Sequence, residues 1–215
     1  MNLEATLDIN ASPIKADRLP KLATFFCVFV SVAFSNVRFL TYPTEVLYVL
    51  IILVVSTRSR IRLSSYSIWS YCFLLVCLAS SLYSVDSFIS FWQTLNVLRV
   101  LLVSNAMIIF IGNDIRKADF VLRSVLLGAL FLVLWIVVRV PVTSLATARV
   151  GRELGLNPNQ LGLRLAFASL ISVYFGSQAT GRRRLLFFCL GAVLPITAFL
   201  SGSRKAFVLV IVGWL

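Results

Sequence analysis

Apolar residues in this chain come in long runs separated by short basic stretches. Within Phe120–Val140 no charge falls between Ser124 and Val138. A bilayer crossing needs about 17–25 apolar residues, and several runs reach or approach that length. The pattern predicts spans over Leu22–Leu40, Pro43–Ser56, Tyr66–Tyr83, Phe88–Gly112, Phe120–Val140, Leu161–Phe175 and Leu185–Leu200, with a partial one from Ala206. The second, sixth and seventh are short, which snorkelling flanks would accommodate. Alternatively the first two form a shallow hairpin, which leaves the sidedness of all later segments unchanged.

The expected fold is therefore all-α: a polytopic transmembrane helical bundle of about seven spans plus a truncated eighth. Residues 22–215 are expected to form one domain behind a mobile cytoplasmic tail, 1–21. That tail mixes Glu4, Asp8 and Asp17 with Lys15, Arg18 and Lys21. It lacks the short apolar core and small-residue cleavage site of a removed signal peptide. Composition agrees with the membrane class: 60% of residues are hydrophobic and 13% charged, against about 25% charged in a soluble domain.

The formal net charge of +12 would point to nucleic acid in a soluble protein, but no nucleic-acid motif accompanies it. Cations gathered in short loops facing the cytoplasm and its anionic lipids explain the charge better, so membrane lipids are expected partners and nucleic acid is not. Cys27, Cys72, Cys77 and Cys189 lie within hydrophobic runs, no CxxC pair occurs and His is absent. A Cys/His zinc site is thereby excluded.

The loops alternate in charge. One set holds Lys15, Arg18, Lys21, Arg58, Arg60, Arg62, Arg116, Lys117, Arg123, Arg182, Arg183 and Arg184. The other holds Arg38, Arg139, Arg149, Arg152, Arg204 and Lys205. The richer set is cytoplasmic by the positive-inside rule, and the N-terminus with it. The cations of the outer set need a separate reason. They concentrate in the outer loop over 141–160 and in LSGSRKAF, Leu200–Phe207.

In the loop, Pro158 biases Asn157 to extended geometry and Asn159 is expected to cap the apolar helix that follows. Gly151, Gly155 and Gly162 allow close backbone approach or unusual dihedrals. A helix start presents free N–H groups and the positive dipole end, which suits an anion. With Arg149 and Arg152 the loop has the parts of a phosphate clamp; the plainer alternative is a capped helix with two solvated arginines. LSGSRKAF has the same grammar: Ser201 or Ser203 caps the last helix, Gly202 permits the turn, and Arg204 and Lys205 open the helix. A cation there opposes the dipole by up to about 1 kcal/mol, unless an anion is recruited to it; otherwise the pair snorkels at the interface. Arg99 lies midway along its predicted span, where an arginine costs at least about 2.5–3.5 kcal/mol. No acid is expected near it at mid-membrane, which leaves backbone carbonyls or a ligand phosphate. Arg164, one turn into the sixth span, reads as structural.

Arg149-x-Gly151, then Asn157-Pro158-Asn159 opening a helix, one basic cytoplasmic loop, and Ser201-Gly202-Ser203-Arg204 at the outer start of the next helix together resemble the O-antigen ligase and O-antigen polymerase superfamily. The two motifs cover about a quarter of the chain. The resemblance implies a glycosyltransferase of the bacterial inner membrane that moves saccharide from an undecaprenyl-pyrophosphate-linked glycan to lipid A core or a glycan acceptor on the periplasmic side. It implies no metal or cofactor, because arginines neutralise the pyrophosphate. It assigns Arg204 the catalytic role and, less directly, Arg149 a place in pyrophosphate binding. The local chemistry of the loop, the turn and the mid-span arginine puts Arg149, Arg152, Asn157, Asn159, Ser203, Lys205 and Arg99 in the expected substrate-binding set. Family members are about twice as long and carry a histidine in a late outer loop. This chain has none, Lys205 replaces a usual small residue, and the apolar run ends ten residues after Lys205. Those departures predict an N-terminal fragment, inactive alone. A transporter or permease fragment and a non-catalytic membrane protein are the competing classes.

The loop parity makes a direct prediction. Alkaline phosphatase fused after Asp86 and after Ser203 is expected to be active, and a fusion after Gly181 inactive. An inactive Ser203 fusion beside an active Asp86 fusion removes the shared outer side.

Overall fold

The computed structural model describes residues 18–34, 37–56, 65–140 and 157–214. Among them there are eight helices and no strands: α1 (Arg18–Ala33), α2 (Arg38–Ser56), α3 (Ser65–Leu82), α4 (Ser87–Ile111), α5 (Ile115–Arg139), α6 (Pro158–Gln178), α7 (Gly181–Leu200) and α8 (Arg204–Trp214). The all-helical expectation holds. Five helices, α2, α3, α4, α5 and α7, are long and apolar enough to cross a membrane, fewer than the seven spans expected.

The differences have local causes. The predicted span Leu22–Leu40 divides: α1 ends at Ala33 and α2 begins at Arg38, leaving α1 at 16 residues. Residues 35–36, between the two helices, lie outside the described residues. Pro43, expected to open the second span, lies inside α2. Helix α6 is 21 residues long but carries Asn159, Gln160, Arg164, Ser169, Ser172, Ser177 and Gln178 along it. Its length suffices; its polarity keeps it out of the spanning set.

The helices form two compact units. The first gathers the described residues up to Cys27 with Pro43–Lys117; the second gathers Val28–Tyr42 with the described residues from Ala118 onward. In the first, α3 and α4 form a hairpin whose turn is closed by Asp86: its Oδ1 accepts from the Ile89 N–H at 3.0 Å, an N-cap that starts α4. Tyr48, Thr24 and Cys27 are fully buried in this unit.

The second unit has an apolar core of Leu126, Ala129, Leu132 and Ile136 from α5 and Val140 just after it, with Leu161, Leu165, Ala168, Leu194 and Ala198. The α5 positions recur every three or four residues, one face of a helix. Asp119 near the start of α5 accepts from the Tyr174 hydroxyl near the end of α6 at 3.3 Å. Gly128 and Arg164 both reach Val32 of α1, so α5 and α6 run antiparallel. At Gly128 an added methyl would lie 2.9 Å from Val32 Cβ; the absence of a side chain lets the helices close there.

Helices α6 and α7 are joined by two residues and Gly181, whose φ of 58° suits a residue without Cβ. Two serines lace them: Ser169 Oγ donates to the Gly191 carbonyl at 2.8 Å and Ser172 Oγ to the Phe187 carbonyl at 2.7 Å. The first bond has a sequence cause. Pro195 lies inside α7 and has no N–H for the carbonyl four residues back, which is that of Gly191. In an apolar interior that carbonyl must find another donor. Ser169 supplies it.

Ser169→Ala is therefore expected to cost about 1–3 kcal/mol, the penalty of a buried carbonyl left unsatisfied. Pro195→Ala in the same chain restores the helical N–H and should recover much of it. Thermal unfolding of the single and double variants in detergent checks the pair; a double variant no more stable than Ser169→Ala refutes the link.

Candidate anion-binding site

A three-residue turn, Ser201-Gly202-Ser203, reverses the chain between α7 and α8. Ser201 Oγ donates to the Ala198 carbonyl at 2.6 Å and the Gly202 N–H to the Phe199 carbonyl at 2.8 Å. Gly202 has a φ of 68°, the left-handed region in which an L side chain is strained. Ser203 Oγ then accepts from the Ala206 N–H at 3.3 Å and is the N-cap of α8. Of the two serines expected to cap, Ser203 caps and Ser201 closes the helix before it.

Two reversals, at 179–180 and at 201–203, leave α8 parallel to α6. Gly162 of α6 faces Ser201, Ser203 and Ala206, while Gly213 of α8 faces Leu170, so residue numbers rise together along the seam. A methyl built on Gly162 would lie 2.6 Å from Ser201 Oγ and from Ser203 Cβ, and 3.0 Å from Ala206 Cβ. The close approach expected of Gly162 is present, and the first turns of α6 and α8 lie side by side. This is the main thing the sequence could not give: parity places two segments on one side of a membrane, but only the fold places them in contact.

At the start of α6 the cap is Asn157, not Asn159. Asn157 is extended at its cap position, its Oδ1 accepts from the Asn159 N–H at 3.0 Å, and Pro158 occupies the first helical turn, where its missing N–H costs nothing. The cap assignment shifts by two residues because Pro158 fixes the helix start. Asn157 and Asn159 are both exposed. Arg204 and Lys205, in the first turn of α8, are exposed too, while Ser203 is buried. Among the described residues neither cation has a hydrogen-bonding or ion-pair partner. Arg149 and Arg152 of the proposed clamp, with Gly151 and Gly155, lie outside the described residues.

Electrostatically, this end combines two helix N-termini, each with the positive end of its dipole, and two cations that oppose those dipoles. The combination favours an anion between or above the helix starts.

Arg99 behaves otherwise. Its Nε lies 3.1 Å from Glu45 Oε2, with side chains 29% and 12% exposed respectively. The expectation of no acid nearby is corrected: Glu45, read as the edge of a span beside Pro43, sits in the second turn of α2 because that helix starts earlier, at Arg38. Arg99 thus forms an ion pair inside the first unit and is not left to a phosphate. The missed signal was Glu45 itself, an acid within TYPTEVLYVL. Arg164 meets the structural reading: its guanidinium donates to the Val32 carbonyl at 3.5 Å, in the last turn of α1, where a cation complements the helix dipole.

Glu45→Gln should destabilise the protein by about 2–3 kcal/mol, below the usual cost of breaking a buried pair because Arg99 is partly exposed. Combined with Arg99→Met, the loss should be smaller than the sum of the two single losses; strictly additive unfolding midpoints contradict a direct pair. Compared with known proteins, no family model, curated protein or solved structure matches the chain.

Proposed function

We propose that the end of the second unit where α6 and α8 begin binds the pyrophosphate of an undecaprenyl-pyrophosphate-linked glycan, in a glycosyltransferase of the O-antigen ligase or polymerase type. The supporting observation is the side-by-side start of two parallel helices with Arg204 and Lys205 exposed and without partners among the described residues. In the proposed reaction an acceptor hydroxyl, on lipid A core or a growing glycan, attacks the anomeric carbon. The new C–O bond forms as the bond to the pyrophosphate oxygen breaks, and the hydroxyl proton passes to a base assigned to no residue of this chain. Undecaprenyl pyrophosphate leaves with its added negative charge.

Arg204 meets that charge. A guanidinium binds a phosphate through two parallel N–H bonds, and fixed cations aimed at developing charge lower the barrier without reorganisation. Lys205 adds a point charge beside it. Ser203 holds the turn, and Asn157 with the Asn159 amide fixes the start of α6; Arg149 and Arg152 complete the proposed set from the 141–160 loop. The proposed setting is the inner membrane of a bacterium, with the N-terminus cytoplasmic and this end periplasmic.

A second reading, a carrier, draws on the Arg99–Glu45 pair, since ionisable residues within apolar helices mark substrate paths by default. It requires solute accumulation in vesicles that depends on Arg99.

Arg204→Ala, in cells carrying the complete gene, is expected to reduce glycan transfer about 100-fold or more, the cost of removing one preorganised electrostatic group, with Arg204→Lys intermediate. Surface glycan resolved by electrophoresis gives the readout, with membrane levels of the protein matched. Unchanged glycan length and attachment in the alanine variant defeats the proposal.

A further inference from the structure

The opposite end of the second unit carries a different cationic group. Arg182, Arg183 and Arg184 occupy the first turn of α7 and all three are exposed, as is Arg123 of α5. Three consecutive residues spread over about 200° of a helix, so no single face accommodates them. Three cations at a helix start also oppose its dipole. Among the described residues none of the four is in an ion pair.

Two of these arginines are held in place by aromatic rings. The Arg123 guanidinium carbon lies 5.4 Å from the Phe175 ring centre and that of Arg184 lies 5.7 Å from the Phe188 ring centre. Phe175 in turn meets Phe187 at 5.6 Å. Gly176 leaves room for the group: an added methyl would touch Phe187 Cβ and the Phe188 ring at 3.4 Å. Ser172, bonded to the Phe187 carbonyl, fixes α7 against α6 at this level. Stacking occupies a guanidinium's face and leaves its N–H edge available for phosphate. Below the cations, Leu185, Leu186 and Phe188 are exposed along α7, a surface suited to acyl chains.

We propose that Arg123, Arg182, Arg183 and Arg184 form a seat for the phosphate headgroup of an anionic phospholipid whose acyl chains lie against the exposed apolar flank of α7. Charge complementarity, aromatic preorganisation and the adjoining apolar surface favour lipid over a soluble phosphate, because the headgroup and the chains are satisfied together. Asp119, one turn before Arg123 on α5, is engaged by the Tyr174 hydroxyl. The inference requires a bilayer around α7 and does not depend on the glycan reading.

The test is lipid titration by native mass spectrometry of the detergent-solubilised protein. Phosphatidylglycerol should bind more tightly than phosphatidylcholine and survive an equal concentration of inorganic phosphate. Each arginine near an anionic headgroup is worth about fivefold, so Arg123→Gln with Arg184→Gln should weaken phosphatidylglycerol binding about thirtyfold. Lysine at both positions should fall between. Arg139→Gln is the control: Arg139 also stacks on a ring, that of Trp135 at 4.9 Å, but ends α5 rather than beginning α7, and phosphatidylglycerol binding should stay unchanged. If the double glutamine variant does not elute as a single species, Arg182→Gln and Arg183→Gln are read singly, each with about a fivefold loss. Equal binding of the two lipids overturns the proposal. So do unchanged affinity in the arginine variants, an equal loss in Arg139→Gln, and displacement by phosphate alone.

Discussion

A backbone carbonyl without its usual donor organises the second unit. Pro195 takes the N–H away from the Gly191 carbonyl, and Ser169 of the neighbouring helix replaces it at 2.8 Å. In water a stray carbonyl would be hydrated; inside apolar helices it must be satisfied by protein. The replacement therefore does more than stabilise: it fixes how far α6 and α7 slide past each other. Ser172 and the Phe187 carbonyl repeat the bond nearly a turn away, so the register is set twice. Everything after α7 inherits it. The turn at Gly202 brings α8 back along α6, and Gly162 receives Ser201 and Ser203 only because that register puts it there.

The described cations differ in how their charge is met. Arg99 has a carboxylate, Glu45. Arg164 has a helix-terminal carbonyl, that of Val32, and Arg139 has the face of Trp135. Arg123 and Arg184 have aromatic faces that hold the side chain without neutralising it. Arg204 and Lys205 have none of these among the described residues, and they stand where two helix dipoles add to their charge. This ordering separates cations the fold has already satisfied from those that look outward, and it moves Arg99 from the second class to the first.

Much of the helical content was legible because apolar runs of spanning length leave little choice. The turns at Gly202 and before Pro158 were legible for the same local reasons that make glycine and proline punctuate a chain. The failures are equally physical. The division of Leu22–Leu40 falls inside a largely apolar run, where hydropathy alone gives no sign of it, and it places Pro43 and Glu45 inside α2. With Glu45 inside α2, the partner of Arg99 came into reach, which no count along a single run could reveal. Asn157 rather than Asn159 caps α6 because proline is welcome one residue after a cap. The Ser169–Gly191 bond joins residues 22 apart; Pro195 announces a free carbonyl, but the sequence does not say which serine answers it.

The antiparallel pair α6 and α7 also bears on the meaning of the two basic groups. Arg182, Arg183 and Arg184 open α7, and the Ser201–Ser203 turn with Arg204 and Lys205 follows its other end. Helix α7 has the length and composition to cross a bilayer. Whichever way it inserts, one group faces one side and the second faces the other. The positive-inside rule accounts for cations on a single side, so it explains at most one of the two. If it explains the triple arginine, Arg204 and Lys205 need a cause of another kind, and the adjoining helix starts of α6 and α8 supply one in an anion. If insertion were reversed, the burden would pass to the triple arginine, of which Arg184 is held over the Phe188 ring, and the proposed lipid headgroup would supply the cause. A topological role alone therefore leaves one end of this hairpin unexplained in either orientation.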